Sequence, residues 1–383
     1  MRFNNIIRDS LFLLFAFYYA QDWLYTSGSF FSQACIVIII LISGVYLVKT
    51  LLLKDRKNLF FIAWTIFIIL NLTGFIFKPD LSEGLIRDEL KNTLGCMLPF
   101  YPFYYFARKG ELKTMHLIRF ALLILPIIIF QYYTNERHVL STINLDNTDV
   151  VNNSAYMFVS ILPFIFLIKK RRLIAMLLML LIIMFVIQGA KRGALIAASI
   201  GLFMYFYYQI QTIERQHRIL GFVGVIIIIM VLIVFAYKTF MSNTFMLNRM
   251  ASMLEGDTSN RSIIYATIFK KWSTSNNILN LLFGYGLAGS VVLTGDSLAH
   301  NDWFELLSSF GLTGVFTYLF LFYSAVKTGL TEEWMSDKRI LMLTLVFMWF
   351  FITLVSMWYT SLGYFANAIL FGYLVGNKNL SLE

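Results

Sequence analysis

The chain has 383 residues, of which 59% are hydrophobic and 14% charged, and its formal net charge is +10. Water-soluble domains contain about a quarter charged residues, so the composition argues against a soluble fold. The short segments of alternating polarity that a membrane β-barrel needs do not occur. The sequence therefore predicts an all-α, polytopic membrane protein.

Apolar stretches of about 17 to 25 residues, each long enough to cross the hydrocarbon core as a helix, recur along the whole chain. They predict about twelve transmembrane helices within one integral membrane domain, 1–383. The first is expected to be retained, because no small-residue cleavage site follows it. The spans are placed near 9–25, 30–52, 59–77, 93–107, 115–133, 153–168, 173–189, 193–210, 219–238, 303–327, 340–357 and 361–376.

The basic residues predict the orientation. The connections KDRKN, ARKGELK, KKRR, ERQHR and SDKR all fall on one side, which holds more than half of the 31 Lys and Arg residues. By the positive-inside rule this side is cytoplasmic, as are both termini, and the other face is the periplasmic face of a bacterial inner membrane. These loops account for the positive charge, so no nucleic-acid partner is expected.

The longest polar segment, 239–302, is a predicted periplasmic loop between the ninth and tenth spans. It contains FMLNRMASML and SIIYATIFKKW, whose apolar residues recur at helical spacing and predict short interfacial helices. A second outer loop, 134–152, is polar and lacks such periodicity. It is interpreted either as a lid or as a simple connector.

Two segments carry candidate site residues. The hairpin IIMFVIQGAKRGALIAASI places Lys191 and Arg192 at the outer end of two spans, against the positive-inside bias, and cations at membrane depth are commonly functional. From Phe283 onward, FGYGLAGSVVLTGDSLAHNDWFELLSSFGLTGVFTYLF combines a Gly-x-Gly turn, the pair His300–Asn301 and a Gly-x-x-Gly. Its last two glycines, Gly311 and Gly314, are expected to let a second helix pack closely.

These motifs resemble the O-antigen polymerase and O-antigen ligase superfamily, membrane glycosyltransferases of the GT-C type. Members carry a similar G-x-G, then H-N-x-aromatic-x-x-x-L and G-x-x-G entering a helix. They also have a basic-Arg-Gly-Ala hairpin like AKRGA here, and an Arg with an aromatic four residues later, as in RSIIY at 261–265. The resemblance covers roughly residues 185–325, in family order; the first half of the chain matches only as a hydropathy profile.

The resemblance implies glycosyl transfer from an undecaprenyl-diphosphate-linked glycan, without a cofactor or metal ion, as in O-antigen and lipopolysaccharide biosynthesis. His300, Arg192 and Arg261 would be catalytic; Lys191, Arg192, Arg261 and Asn301 would bind the diphosphate and substrate. A planar guanidinium holds phosphate oxygens through two hydrogen bonds. His300 would be the base for the acceptor hydroxyl or a donor to the diphosphate, with Asn301 orienting it.

Each residue has a structural alternative. Arg192 can reach lipid phosphates from a helix end, Arg261 can be a solvated loop charge or interfacial anchor, and His300 an ordinary interface histidine. The acidic neighbours Asp296, Asp302 and Glu305 can tune His300 or act as the base. Solvated or capping roles are more usual for such residues, and Asp302 is expected to cap the tenth span.

The leading functional hypothesis is a polymerase, which joins a growing lipid-linked glycan to a lipid-linked repeat unit. The alternative is a ligase, which transfers the glycan to a lipid A-core acceptor or a protein. Expected partners are therefore the lipid-linked donor, a lipid-linked or lipid A-core acceptor, membrane lipid and, for a polymerase, a chain-length regulator. A transporter of lipid-linked glycans is less consistent, because the spans are nearly free of charge and no internal repeat is apparent.

Overall fold

The computed structural model describes residues 2–53, 58–76, 81–142, 154–189, 191–212, 218–242, 261–331, 333–379 and 382. Helices make up 81% of the structure, and the described residues include no β-strand, which confirms the predicted all-α class. The α-helices are α1 (Arg2–Tyr19), α2 (Phe30–Leu51), α3 (Leu59–Ile76), α4 (Glu83–Met97), α5 (Phe100–Arg108), α6 (Thr114–Thr142), α7 (Ala155–Ile161), α8 (Arg172–Gln188), α9 (Arg192–Thr212), α10 (Arg218–Ser242), α11 (Arg261–Ser273), α12 (Ile278–Phe283), α13 (Gly289–Thr294), α14 (Asp302–Gly329), α15 (Ser336–Val355) and α16 (Phe365–Gly376). Short 3-10 helices follow α7, at Leu162–Leu167, and precede α16, at Leu362–Tyr364.

Within these segments, six helices are long and apolar enough to cross a membrane, and all coincide with predicted spans. The remaining apolar helices are shorter. These features are consistent with a membrane protein. The six are Phe30–Leu51, Thr114–Arg137, Arg192–Thr212, Gly221–Thr239, Asp302–Gly329 and Ser336–Val355; the shorter ones include Leu59–Phe75, Ala155–Leu167, Arg172–Gln188 and Leu362–Gly376.

The predicted span 93–107 is wrong as a single helix. The chain instead forms α4 and α5, which meet at Pro99, the residue that precedes the first turn of α5. Proline has no backbone N–H to continue the hydrogen bonding of α4, so the helix ends before it. Neither helix is long enough to be a candidate span.

Helix ends also differ from the predictions. Helix α1 begins at Arg2, and α6 continues to Thr142, so the first part of the predicted outer loop 134–152 is helical. Helix α11 confirms a helix at SIIYATIFKKW. The predicted helix FMLNRMASML, at 245–254, lies outside the described residues, as do 143–153 of the shorter outer loop.

Helix α14 is broken at Gly311, whose φ of 59° and ψ of −149° are not helical. The break leaves the carbonyl groups of Ser308 and Ser309 without their helical donors, and the backbone N–H groups of Tyr285 and Gly286 donate to them at 2.8 and 2.9 Å. A Cβ at Gly311 would lie 2.5 Å from the Leu281 carbonyl oxygen. The glycine therefore lets the end of the short helix α12, and the loop that follows it, lie close to α14, as predicted for a second helix.

Gly314, by contrast, does not admit a second helix. A Cβ there would meet Phe310 Cβ and the Leu306 carbonyl oxygen of the same helix. Close approach between helices occurs elsewhere, where Gly372 and Gly376 of α16 would each place a Cβ 2.4 Å from a carbonyl oxygen of α5. Small residues four apart allow such packing.

The bundle has two ends. At the Arg192 end, helices α9 and α14 begin and α8 and α15 terminate. At the Arg171 end, helices α6, α8 and α15 begin and α9 and α14 terminate; there Arg172 Nη2 of α8 donates to the Thr212 carbonyl of α9 at 2.7 Å. An aromatic core lies between the ends, with Trp349 and Trp358 rings 4.7 Å apart.

Candidate functional site

Arg261, the first residue of α11, is held at the Arg192 end of the bundle. Its Nη1 donates a 2.6 Å hydrogen bond to the carbonyl of Val355, the last residue of α15. The final carbonyls of a helix have no donors within it, and the end carries a partial negative charge that favours a cation. The guanidinium is therefore fixed to a helix end.

The hairpin with Lys191 and Arg192 reaches the same helix end. Both side chains are partly buried. A Cβ at the next residue, Gly193, would lie 2.4 Å from the Tyr156 hydroxyl and 2.8 Å from Val355 Cγ2. The absent side chain thus lets the start of α9 contact Val355, the residue that accepts the hydrogen bond from Arg261.

His300 lies within electrostatic reach of Arg261 and Lys191. Its φ of 52° is in the left-handed region, which non-glycine residues rarely adopt and which often accompanies functional sites. Burial lowers the pKa of His300 below its usual value, and the positive charges of Arg261 and Lys191 lower it further. The imidazole is therefore neutral at pH 7 and able to accept a proton. We call Lys191, Arg192, Arg261 and His300 the basic cluster.

Asn301 fixes the beginning of α14. Its Oδ1 accepts hydrogen bonds from the backbone N–H groups of Trp303 and Phe304, at 2.8 and 3.2 Å, which is the standard N-cap arrangement. Its Nδ2 donates to the Leu354 carbonyl at 2.8 Å. With only 5% of the residue exposed, these contacts join the start of α14 to the end of α15, directly beside His300.

Two tyrosines line the basic cluster, and neither is assigned a role from sequence. Tyr265, the aromatic residue of RSIIY, stacks on Phe304 at 4.5 Å with an interplanar angle of 4°. Burial raises the pKa of Tyr265, and hydrogen bonding to Asn301 and Arg261 offsets part of that increase. The Tyr156 hydroxyl lies beside Gly193 of the hairpin, and the ring is close enough to Arg261 for the positive charge to act on it. The spacing of RSIIY could have identified Tyr265 as a site residue. No motif in the sequence points to Tyr156.

The acidic residues near His300 have structural partners. Asp302 accepts hydrogen bonds from the Tyr318 hydroxyl at 2.6 Å and the Trp358 backbone N–H at 2.8 Å. The prediction that Asp302 caps the helix is therefore wrong, because the preceding residue does so. Glu305 accepts from the Ser290 and Ser309 hydroxyls. Asp296 is exposed and accepts from its neighbour Ser297.

Glu89 of α4 was not singled out from sequence, yet it is buried within electrostatic reach of Asp302 and Glu305, which are also buried. It is 5% exposed, and its Oε1 has no hydrogen-bond partner among the described residues. Burial raises the pKa of Glu89, with further contributions from the negative charges of Glu305 and Asp302. The sequence predicts part of α4 as a connection and part as a membrane span. Nothing in it therefore indicates that Glu89 is buried.

The site therefore collects residues from three segments that are far apart in the chain: the 191–193 hairpin, the start of α11 and the start of α14. All meet the end of α15 at Leu354 and Val355 or lie within electrostatic reach of one another. Fixed cations beside a neutral imidazole can bind a phosphate-bearing group and assist proton transfer.

Neither a model of a known protein family nor a curated protein matches the chain. The resemblance to the O-antigen polymerase and ligase superfamily thus depends on the three motifs and their order.

Proposed function

We propose that the chain is a membrane glycosyltransferase of the polysaccharide-polymerase kind, which joins undecaprenyl-diphosphate-linked repeat units into an O antigen or similar surface polysaccharide. One observation carries the proposal. The three motifs on which the resemblance depends supply the residues that meet at the end of α15. A chance likeness in three separate loops gives no reason for their side chains to converge.

The chemistry requires cations at this place. Breaking the bond between the sugar and the diphosphate leaves a group with two or more negative charges, and preorganised positive charges in a poorly hydrated site stabilise it. Arg192 and Arg261 would hold the diphosphate oxygens, with Lys191 adding a third charge. The neutral His300 would take the proton from the attacking hydroxyl as the new glycosidic bond forms.

In this proposal the six long helices, the four shorter apolar ones, α1, and α4 together with α5 form about twelve spans in a bacterial inner membrane. The basic connections of the Arg171 end face the cytoplasm, and the basic cluster faces the periplasm. The lipid-linked donor enters from the outer leaflet, and undecaprenyl diphosphate leaves there.

The direct test replaces Arg192, Arg261 and His300 by Ala, one at a time, in cells that depend on this chain for long glycan. Long chains should fall at least about 100-fold in each variant, as expected for loss of transition-state charge stabilisation or of a general base. Lys270→Ala and Lys271→Ala are matched controls, since both lysines lie exposed on α11 outside the basic cluster. Unchanged long glycan in all three variants, at normal protein levels, would refute the proposal.

A second test separates geometry from charge. Arg192→Lys and Arg261→Lys keep the positive charge but lose the planar, two-toothed contact with phosphate. We expect transfer to fall about 10-fold or more in each, from the usual worth of one charge-assisted hydrogen bond. Full activity in both variants would show that the arginines act only through their positive charge.

The product of a deletion strain distinguishes the two acceptor classes. Single repeat units on the lipid A-core indicate a lost polymerase, whereas long chains stranded on carrier lipid indicate a lost ligase. The second outcome would replace the proposed polymerase by the ligase alternative and leave the roles of the basic cluster unchanged.

A further inference from the structure

The Arg171 end of the bundle contains a groove of about 910 Å³ between the start of α6 and the start of α8. Its walls include Ile118 and Leu122 of α6 and Ile174 of α8, and its rim carries Lys113, Lys170 and Arg171. A volume near the top of the ordinary range for ligand pockets can hold a large part of a lipid-sized molecule. The groove lies a full helix length from the basic cluster, because α8 runs from Arg172 at this end to Gln188 at the other.

The apolar walls open sideways, out of the bundle. Leu122 is 46% exposed and Ile174 is 42% exposed, and Met115, which also lines the groove, is 53% exposed. In a membrane protein such outward apolar surface contacts lipid chains. A ligand in the groove would therefore extend its apolar part into the hydrocarbon.

The cations at the rim are available to a ligand. A fourth lysine of the groove, Lys169, forms an ion pair with Asp337. In the described parts of the chain, by contrast, the side chains of Lys113, Lys170 and Arg171 form no ion pair. All three are exposed. Among the residues that the structure describes, these three positive charges thus stand over an apolar groove and form no ion pair with a carboxylate.

We propose that this groove binds one anionic phospholipid, with its phosphate among Lys113, Lys170 and Arg171 and its acyl chains along Ile118, Leu122 and Ile174. Basic pockets between transmembrane helices are suited to anionic head groups, and this end is also the one that the positive-inside rule assigns to the anionic leaflet. The inference goes beyond the glycosyltransferase proposal and does not depend on it.

The test measures thermal unfolding of the delipidated protein in a neutral detergent. Added dioleoyl phosphatidylglycerol should raise the Tm by several degrees, because a ligand that binds only the folded protein stabilises it. Dioleoyl phosphatidylcholine, with the same chains and no net charge, should raise it by less than a third of that shift.

Matched variants assign the effect to the groove. Lys113→Gln/Lys170→Gln/Arg171→Gln should lose most of the phosphatidylglycerol shift. The control Lys49→Gln/Lys109→Gln/Lys327→Gln removes three charges from the same end, where each lysine lies over a tyrosine ring, and should keep it. Equal shifts with the two lipids, or equal loss in the two triple variants, would overturn the proposal.

Two further measurements guard against trivial results. Ile118→Trp fills the groove while keeping every charge, and it should reduce the phosphatidylglycerol that copurifies with the protein, measured by mass spectrometry, at least 5-fold. Glycerol 3-phosphate at millimolar concentration should give no shift. A shift as large as that from the lipid would show that the cations bind free phosphate, and the lipid assignment would be wrong.

Discussion

The two ends of the bundle both carry positively charged side chains, yet they hold them in different ways. At the Arg192 end, Arg261 is bonded to a helix carbonyl and His300 is set by the capped start of α14. At the Arg171 end, Lys113 and Lys170 are exposed residues on connections between helices. Long, flexible side chains at such positions can adapt to a ligand, whereas a guanidinium bonded to a helix end, as in Arg261, keeps one geometry.

The difference teaches what each end is suited to do. Transition-state stabilisation needs charges whose positions are fixed before the substrate arrives, because reorganisation during the reaction raises the barrier. Retention of a lipid needs only approximate electrostatic attraction over an apolar surface. Substitutions that disturb backbone packing should therefore damage the Arg192 end far more than the Arg171 end.

The largest effect is expected from Gly284→Ala. Gly284 has a φ of 72°, and a Cβ there would lie 2.4 Å from the Phe310 backbone nitrogen. Backbone atoms cannot yield cheaply, so we expect a loss of about 3 kcal/mol or more from steric overlap and strain together. The measurement is the Tm by intrinsic fluorescence in detergent.

Gly295→Ala is the control for this substitution. Gly295 also has a positive φ, 103°, but a Cβ there would meet nothing within 4 Å. Only conformational strain remains, of about 1 to 2 kcal/mol. Equal Tm losses in the two variants would mean that the loop does not press on the break in α14 as the structure indicates.

A smaller effect is expected from Gly193→Ala, whose Cβ would meet the Tyr156 and Val355 side chains, and these can move. We expect a loss of about 1 to 3 kcal/mol in stability. A displacement of Arg192 by a fraction of an ångström to one ångström should also lower glycosyl transfer about 10- to 100-fold.

Gly224→Ala is the matched control in a helix. A Cβ at Gly224 of α10 would lie in open space, and Ala favours a helix over Gly by about 1 kcal/mol. Stability should stay equal or rise slightly, and transfer should not change. If both variants retain full transfer, the close contact at Gly193 is not what positions Arg192.

Six of the twelve predicted spans coincide with helices long and apolar enough to cross a membrane, because long apolar stretches are a strong signal that survives small errors at their ends. The prediction fails at α4. This amphipathic helix begins at Glu83 and buries Glu89, whereas the predicted apolar span begins only at residue 93. The prediction for the glycine pair holds only in part, because Gly311 admits the end of helix α12, whereas a Cβ at Gly314 would meet atoms of its own helix.

The candidate site is predicted in part. The basic residues of the hairpin and the order of the three motifs are visible in the sequence and identify Arg192, Arg261 and His300 as candidates. Their meeting point is not, because the carbonyl groups of Leu354 and Val355 belong to no side chain and have no sequence pattern. Backbone acceptors at a helix end become apparent only when the helices are packed together.

The pH dependence of transfer tests whether His300 is the base. Burial and the nearby charges of Arg261 and Lys191 lower its pKa, so the imidazole is neutral at pH 7, and the rate should stay level down to its usual value of about 6.5. Below the lowered pKa the rate should fall about 10-fold per pH unit, because protonation removes the base.

The measurement is the rate of transfer by the purified protein, with a lipid-linked glycan as substrate, as a function of pH. The residual activity of His300→Ala should not show the fall in rate at low pH. If the fall in rate at low pH persists in this variant, the base is another group. Stability should also fall as the pH drops below about 6.5, since the unfolded state then binds more protons at this histidine than the folded state.

The smallest effect is expected at Asn301, where it separates a capping role from the predicted role in binding substrate. Asn301→Ser keeps a hydroxyl that can cap α14 but loses the hydrogen bond from Nδ2 to the Leu354 carbonyl. We expect a loss of about 1 kcal/mol in stability from that bond, and about 2 kcal/mol for Asn301→Ala, which also loses the cap. Transfer should fall less than about 10-fold in the Ser variant, because His300 remains in place.

Direct binding of the diphosphate by Asn301 predicts the opposite pattern. The Ser variant would then lose about 100-fold or more in transfer with little change in Tm, since a donor to the charged leaving group would be missing. Measuring both quantities on the same preparations decides between the two roles. The geometry favours the first, because the Asn301 side chain is almost fully buried and both of its polar atoms already bond to backbone groups of α14 and α15.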